Sequence, residues 1–411
     1  MPSFPDDDDD HHHSIRNNPK PCRDDETGPL PLPSLSQSFP RNPDSGHHHS
    51  LITTVRGRHG YSYVSSLAVA GKFLLAGYSD KDILAWERAT LISSDDTGSG
   101  GGGGDGGAGV VAACAGTVKS LVVASDKLFS AHQDHKIRAW RIRAQDLNLN
   151  HSNHQKYSRL ATMPTLGDRA LGLLAPEKQV QVRRHKRCAW VSHADVVSGL
   201  ALSRDASLLY SVSWDRSMKI WQTSDFRCLE SVGYAHDDAI NAVASSPDGR
   251  VYTGSADKKI KVWKKLEGDK NHSLVATLEG HNSGVNALAL NSDGSILFSG
   301  ACDRSIIAWE REDGGDQIVV LCVLSGHSKS ILCLKVVSDL VFSGSADKTI
   351  RIWRGFEKNY ACVSVLNGHQ GPVKCLAAAV DSGSSSNACF VVYSGSLDCD
   401  LKVWRVTFPI L

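Results

Sequence analysis

Seven tryptophans each follow an aspartate by six residues. The pairs are Asp80 and Trp86, Asp134 and Trp140, Asp215 and Trp221, Asp257 and Trp263, Asp303 and Trp309, Asp347 and Trp353, and Asp398 and Trp404. Each pair sits in one recurring phrase, clearest in Leu340-Val-Phe-Ser-Gly-Ser-Ala-Asp-Lys-Thr-Ile-Arg-Ile-Trp353. Two short apolar runs flanking a Gly/Ser/Asp cluster read as strand, tight turn, strand. The phrase returns at 209–221, 251–263, 297–309 and 392–404, and more weakly at 74–86 and 128–140. Successive tryptophans lie 54, 81, 42, 46, 44 and 51 residues apart. The short spacings match a unit of about 40–45 residues, the four-stranded blade of a β-propeller, and the long ones mark insertions. The expected fold is all-β, a seven-bladed propeller of four-stranded antiparallel blades over 51–411, with insertions at about 90–110 and 143–187.

A third signal precedes each pair. His281, His327 and His369 follow a glycine, and His193 and His236 hold the same slot without one. Each stands four residues before an apolar residue that opens the next strand: Val197, Ile240, Val285, Ile331 and Val373. With these motifs the chain resembles the WD-repeat family of β-propellers across roughly residues 51–411. The eponymous dipeptide is absent, since no closing tryptophan is followed by aspartate. Cys114 fills the histidine slot of the second repeat, and Gly60, beside His59, that of the first. Those two blades are expected to be the least regular.

The resemblance implies a buried hydrogen-bond chain in each blade, from turn aspartate through histidine and a strand Ser or Thr to the indole N–H. The residues it assigns are His193, Asp215 and Trp221; His236, Asp257 and Trp263; His281, Asp303 and Trp309; His327, Asp347 and Trp353; and His369, Asp398 and Trp404. A Ser or Thr stands four residues before the aspartate in six repeats (Ser130, Ser211, Thr253, Ser299, Ser343, Ser394), with Ala76 in the first. Ser, His and Asp together raise the question of a hydrolase. A triad needs one exposed nucleophile and one tuned base. A set such as Ser343, His327 and Asp347, recurring repeat after repeat, serves a repeated structure, so no catalytic residue is assigned and the protein is expected not to be an enzyme.

Other features exclude more than they assign. Lys plus Arg is 45 and Asp plus Glu 44, a net charge of +1, so no concentrated basic field exists to capture nucleic acid or acidic membrane. No run of about 18 apolar residues occurs, and the N-terminus lacks the basic and apolar regions of a secretory signal. The 11 cysteines contain no C-x-x-C pair, which argues against a zinc ribbon and for reduced thiols in the cytoplasm and nucleus. Residues 1–50 hold 9 of the 14 prolines and none of the 9 tryptophans, and read as a disordered acidic tail. Its histidine triplets, 11–13 and 47–49, lack a second shell, so no metal or other cofactor is expected. Gly98–Gly109 lacks the Gly-Lys-Ser/Thr of a phosphate loop and reads as a flexible insertion between the third and fourth strands of the first blade.

The second insertion is not low-complexity. Its segments at 157–164 and 168–174 are expected to pack, the latter with a helical turn or two. Arg183, Arg184, Lys186 and Arg187 read as a charged strand edge, or alternatively as a nuclear-import or anionic-partner patch. This insertion, its basic stretch and Ser213-Trp214-Asp215 resemble the plant Jingubang-like WD-repeat proteins. That resemblance implies a regulator of development, with pollen germination as a candidate setting.

A ring has to close, and the family closes by pairing an N-terminal strand with the last three. Residues 51–55 can supply that strand beside Trp404. The expected function is that of a monomeric scaffold docking other proteins, such as a transcription factor or signalling protein, with no small-molecule substrate. The expected contact face gathers residues just after the histidines and just before the aspartates: Trp214, Asp195, Asp237, Asp238, Asn282, Lys329, Gln133 and Leu397. Trp214 stands out, because its counterparts Ala256, Cys302 and Ala346 are small. The alternative is a substrate receptor for a cullin-type ubiquitin ligase. Its signature is only half met: Trp140-Arg141-Ile142-Arg143 has the basic residue without the acidic one, and Trp86-Glu87 and Trp309-Glu310 the reverse.

Overall fold

The second strand of each phrase is where burial is most complete. Phe73–Tyr78, Val251–Ser255 and Leu340–Ser345 are buried at every residue, because each lies mid-sheet with another sheet against either face. A computed structural model of the chain describes residues 48–409 except 57–60, 94–108, 143–157, 169, 171–178, 184–185, 313–314, 316, 357–358 and 382–386. Seven four-stranded antiparallel sheets form the seven blades. Blades 1 to 6 cover 64–113, 118–163, 197–232, 240–278, 285–324 and 331–366, each with its strands in chain order. Blade 7 joins Val373–Asp381, Asn387–Ser396 and Asp400–Pro409 to the N-terminal strand His48–Arg56.

That last pairing closes the ring. His48–Arg56 runs antiparallel to Asp400–Pro409, with Leu51 opposite Trp404. The strand starts at His48, three residues before position 51, so the last two histidines of the 47–49 triplet are strand residues. His49 Nδ1 meets Ser364 Oγ at 3.0 Å. The rest of the tail, 1–47, lies outside the described residues. Closure leaves only short, protected edges, since each blade is its own sheet of four short strands.

Between blades, each apolar cluster draws on two neighbours. Val64, Leu74 and Trp86 of blade 1 pack with Tyr393, Leu401 and Val403 of blade 7, so the seam between first and last blades is cored like the others. The close approach is visible at Gly395, where an added Cβ would stand 2.6 Å from Val64. Val64 is fully buried and β-branched, so it cannot swing aside.

The insertions contribute secondary structure. Blade 1 continues after Glu87 into a helical turn, Arg88–Ile92, which the sequence did not announce; Arg88 Nε donates to Tyr393 Oη at 3.1 Å. The glycine run at 98–108 lies outside the described residues, and Gly109 opens the fourth strand. In the second insertion Ser158–Met163 is the outer strand of blade 2. Gln179–Arg183 and Lys186–Ala189 pair as a separate hairpin, with Arg183 opposite Lys186 and Gln181 opposite Arg187. Arg184 and most of 168–174 lie outside the described residues, as does Arg143. Among the described residues no helix is long and apolar enough to cross a membrane.

Candidate functional site

One end of the ring repeats the same junction in every blade. The residue before each aspartate donates its backbone N–H to the chain entering that blade. The pairs are Ser79 to Tyr63, Gln133 to Thr117, Trp214 to Val196, Ala256 to Ala239, Cys302 to Gly284, Ala346 to Ser330 and Leu397 to Pro372, at 2.9–3.1 Å. These bonds pin two loops together and make a rim of seven rigid turns. The residue after each aspartate has a left-handed φ of 66–86° and is never glycine: Lys81, His135, Arg216, Lys258, Arg304, Lys348 and Cys399. In blades 3–7 the aspartate Oδ1 accepts the N–H two residues on, at 2.9–3.1 Å, a side-chain turn that holds this conformation.

Beneath the rim run the polar chains. In blade 6, Trp353 Nε1 donates to Ser343 Oγ at 2.8 Å; Ser343 Oγ meets His327 Nε2 at 2.8 Å; His327 Nδ1 meets Asp347 Oδ2 at 2.8 Å. The tautomer satisfying every group has Nδ1–H donating to the carboxylate and Nε2 accepting from the serine. The same path joins Trp263, Thr253, His236 and Asp257. It joins Trp309, Ser299, His281 and Asp303, and Trp404, Ser394, His369 and Asp398. In blade 3, His193 Nδ1 lies nearer Ser217 Oγ (2.9 Å) than Asp215 Oδ2 (3.3 Å), while Ser211 and Trp221 keep their places. Each Oδ2 in blades 3–7 also accepts the N–H of the residue after the histidine, tying rim to core.

These are satisfied structural groups. Burial disfavours the imidazolium and lowers the pKa of His193, His236, His327 and His369 despite their aspartates. Burial alone would raise the Asp347 carboxyl, but Thr349 and His327 hydrogen-bond to it and bring it down to about 2. Ser343 is fully buried, with its oxygen shared between an indole and an imidazole. It is not placed to attack a substrate.

Blades 1 and 2 solve the missing histidine differently. In blade 2, His132 reaches the same spot from the end of the second strand. Its Nε2 meets Ser130 Oγ at 2.8 Å, its Nδ1–H donates to the Gly116 carbonyl at 2.9 Å, and Trp140 donates to Ser130. Blade 2 therefore keeps its polar chain, contrary to the irregularity expected of it. The chain ends on a carbonyl, which leaves Asp134 free to grip the buried Arg138 with both oxygens, at 3.1 and 2.5 Å. In blade 1 the equivalent strand position is Tyr78: Val64 faces Tyr78 as Val118 faces His132. Ala76 offers no hydroxyl, and Trp86 Nε1 and Tyr78 Oη find no partner among the described residues. Blade 1 is the irregular one.

The expected contact residues share the rim. Trp214 and Leu397 are each 44% exposed, and Gln133, Asp237, Asp238, Asn282 and Lys329 are exposed. Asp195 is half-buried. Asp195 and Asp238 each accept a backbone N–H of their own turn, from Val196 and Ala239, both at 2.7 Å. Much of that acidic character is thus spent on turn geometry. Trp214 both packs and projects, since Lys119 Nζ of blade 2 sits 5.8 Å from its ring centroid. Sequence reasoning missed Tyr61, a rim residue of blade 1 that is 99% exposed.

Comparison with known proteins agrees with this geometry. The profile of the WD domain, G-beta repeat, matches residues 186–222, 227–264, 272–310, 318–354 and 360–405, which carry the polar chains of blades 3 to 7. Protein Notchless of Drosophila melanogaster is 27% identical over 165 residues, 40% of this chain and 32% of its own length. Autophagy-related protein 16 of Arabidopsis thaliana is 26% identical over 187 residues, 44% of this chain and 35% of its own. Small ribosomal subunit protein RACK1 of Drosophila melanogaster is 35% identical over 102 residues, 24% of this chain and 30% of its own. The chain spans about a third of the length of these curated relatives.

Proposed function

We propose that this WD-repeat protein is a non-enzymatic scaffold that docks partner proteins on the rim of seven pinned turns. The observation that carries the proposal is the contrast within one turn position. The backbone is locked identically in all seven blades, yet the side chain there is a large apolar one in blades 3 and 7, Trp214 and Leu397, against Ser79, Gln133, Ala256, Cys302 and Ala346 elsewhere. A rigid frame with half-exposed large apolar residues loses little entropy on binding, and tryptophan is among the residues enriched at interface hot spots. The plant-regulator setting implied by the 143–187 insertion belongs to this proposal, with a transcription factor or signalling protein as partner in the cytoplasm or nucleus. Affinity purification with mass spectrometry from the native tissue, comparing wild type with Trp214→Ala, tests it. The expected result is loss of specific partners at an unchanged melting temperature. An unchanged partner set would show that this face is not the docking site.

A further inference from the structure

The inner strands carry a second irregularity that repeats around the ring. In all seven the pairing with the second strand skips one residue immediately after the first: between Val64 and Ser66, Val118 and Ser120, Val197 and Gly199, Ile240 and Ala242, Val285 and Ala287, Ile331 and Cys333, and Val373 and Cys375. The skipped residue is a bulge, whose side chain is released from the sheet's alternation. Four of these are neutral polar residues tied to backbone carbonyls. Ser65 donates to Gly77, and Ser198 and Asn241 reach the inner strands of the following blades at Ile240 and Val285, as Asn286 does at Ile331. They lie just below the rim, at the mouth of the ring.

Two bulge residues are lysines, Lys119 of blade 2 and Lys374 of blade 7, on either side of blade 1. Among the described residues neither ammonium has a hydrogen bond or a carboxylate partner. Burial, and after it the charge of Lys374, lowers the pKa of Lys119, and no acidic group offsets them. Lys119 is half-buried and Lys374 exposed beside it; an unpaired positive charge at the half-buried position is costly and favours an incoming anion. The large exposed apolar residues of the rim surround the same sector: Leu397 in blade 7, Tyr61 in blade 1 and Trp214 in blade 3, whose ring lies under Lys119. Blades 4 to 6 present Ala256, Cys302 and Ala346 at the corresponding turn.

We infer that the rim of blades 7, 1, 2 and 3 is a recognition sector for an acidic peptide segment, whose carboxylate enters the mouth between Lys119 and Lys374 while flanking apolar residues rest on Trp214, Tyr61 and Leu397. This rests on the proposed docking face and adds its chemistry. Charge complementarity selects the occupant: lysine ammoniums with no hydrogen bond or carboxylate among the described residues stand in this sector, whereas the rim carboxylates Asp195 and Asp238 are bound into their own turns.

The test is selection from a randomised peptide display library with the full-length protein, using wild type, Trp214→Ala and the double variant Lys119→Ala/Lys374→Ala. Neither ammonium hydrogen-bonds to the fold among the described residues, and the Lys119 contact with the half-exposed Trp214 ring is its one ring contact, so the double variant should melt close to the wild type. Expected from wild type are peptides with Asp or Glu between apolar residues, binding about tenfold more weakly to the double variant, a loss of about 1.4 kcal/mol. Replacing their acidic residue by the matching amide should cause the same loss. Neutral or basic peptides from wild type, or an acidic preference that survives in the double variant, would overturn the lysine assignment and leave the docking face standing. No selected peptide that depends on Trp214 would overturn the docking face itself. Lysine-dependent binding of inorganic tripolyphosphate without any peptide selection would mark a free-anion site and overturn the peptide inference.

Discussion

Replacing His132 by alanine separates packing from protonation. The imidazole is fully buried and bridges Ser130 Oγ and the Gly116 carbonyl. Its loss leaves a cavity and two broken hydrogen bonds, together costing about 3 kcal/mol near neutral pH. Burial also lowers its pKa from 6.5 to about 4. Stability rises with pH wherever the unfolded chain binds more protons. The unfolded imidazole takes a proton below 6.5 and the folded one only below about 4, so the wild type loses stability as pH falls through that window. At about pH 5 this loss is about 2 kcal/mol, and alanine does not share it. The gap between wild type and His132→Ala should therefore shrink from about 3 kcal/mol near neutrality to about 1 kcal/mol at about pH 5. Urea unfolding followed by tryptophan fluorescence reads both, and the other titrating groups cancel in the difference. A gap that stays constant or widens on acidification would refute a neutral, buried His132 as the substitute for the missing slot histidine.

Two further outcomes are expected. Ala76→Ser should raise stability by about 1 kcal/mol, because it places a hydroxyl between Trp86 Nε1 and the Leu84 carbonyl, as Ser343 stands between Trp353 and the Arg351 carbonyl. No gain in the thermal melt would mean that the Trp86 N–H already has a partner outside the described residues. Deleting 51–58 should destabilise the whole ring, since Leu51 to Arg56 pair with Trp404 to Asp400, whereas deleting 1–45 should leave the melt unchanged; equal melting temperatures for the 51–58 deletion and the intact chain would refute strand closure.

What could be read in the sequence was set by how local each interaction is. The Trp-to-Ser/Thr bond spans ten residues in every blade that has it, and the His-to-Asp bond 20 to 29, so the first survives as a fixed spacing in the chain and the second as a bounded one. Blade number follows from those spacings, and ring closure from what the family resemblance implies. His132 and Tyr78 were also within reach. In a strand, residues two apart share a face, and each stands two residues after the tetrad position, Ser130 or Ala76. There the other five repeats have Ser213, Ser255, Ala301, Ser345 and Ser396. The two repeats lacking the slot histidine are the two with a large ring at that place, which is compensation by volume across one strand pair. The lysines are a different case. Nothing in Val118-Lys119-Ser120 marks the residue as skipped by the ladder, because a bulge is a property of the pairing and not of one strand. That Lys119 meets Trp214 of the next blade depends on the angle between sheets, which no spacing within a repeat encodes. Interactions inside a blade write themselves into the sequence at a regular interval. Those between blades, which distinguish one propeller's binding face from another's, have to be read from the assembled ring.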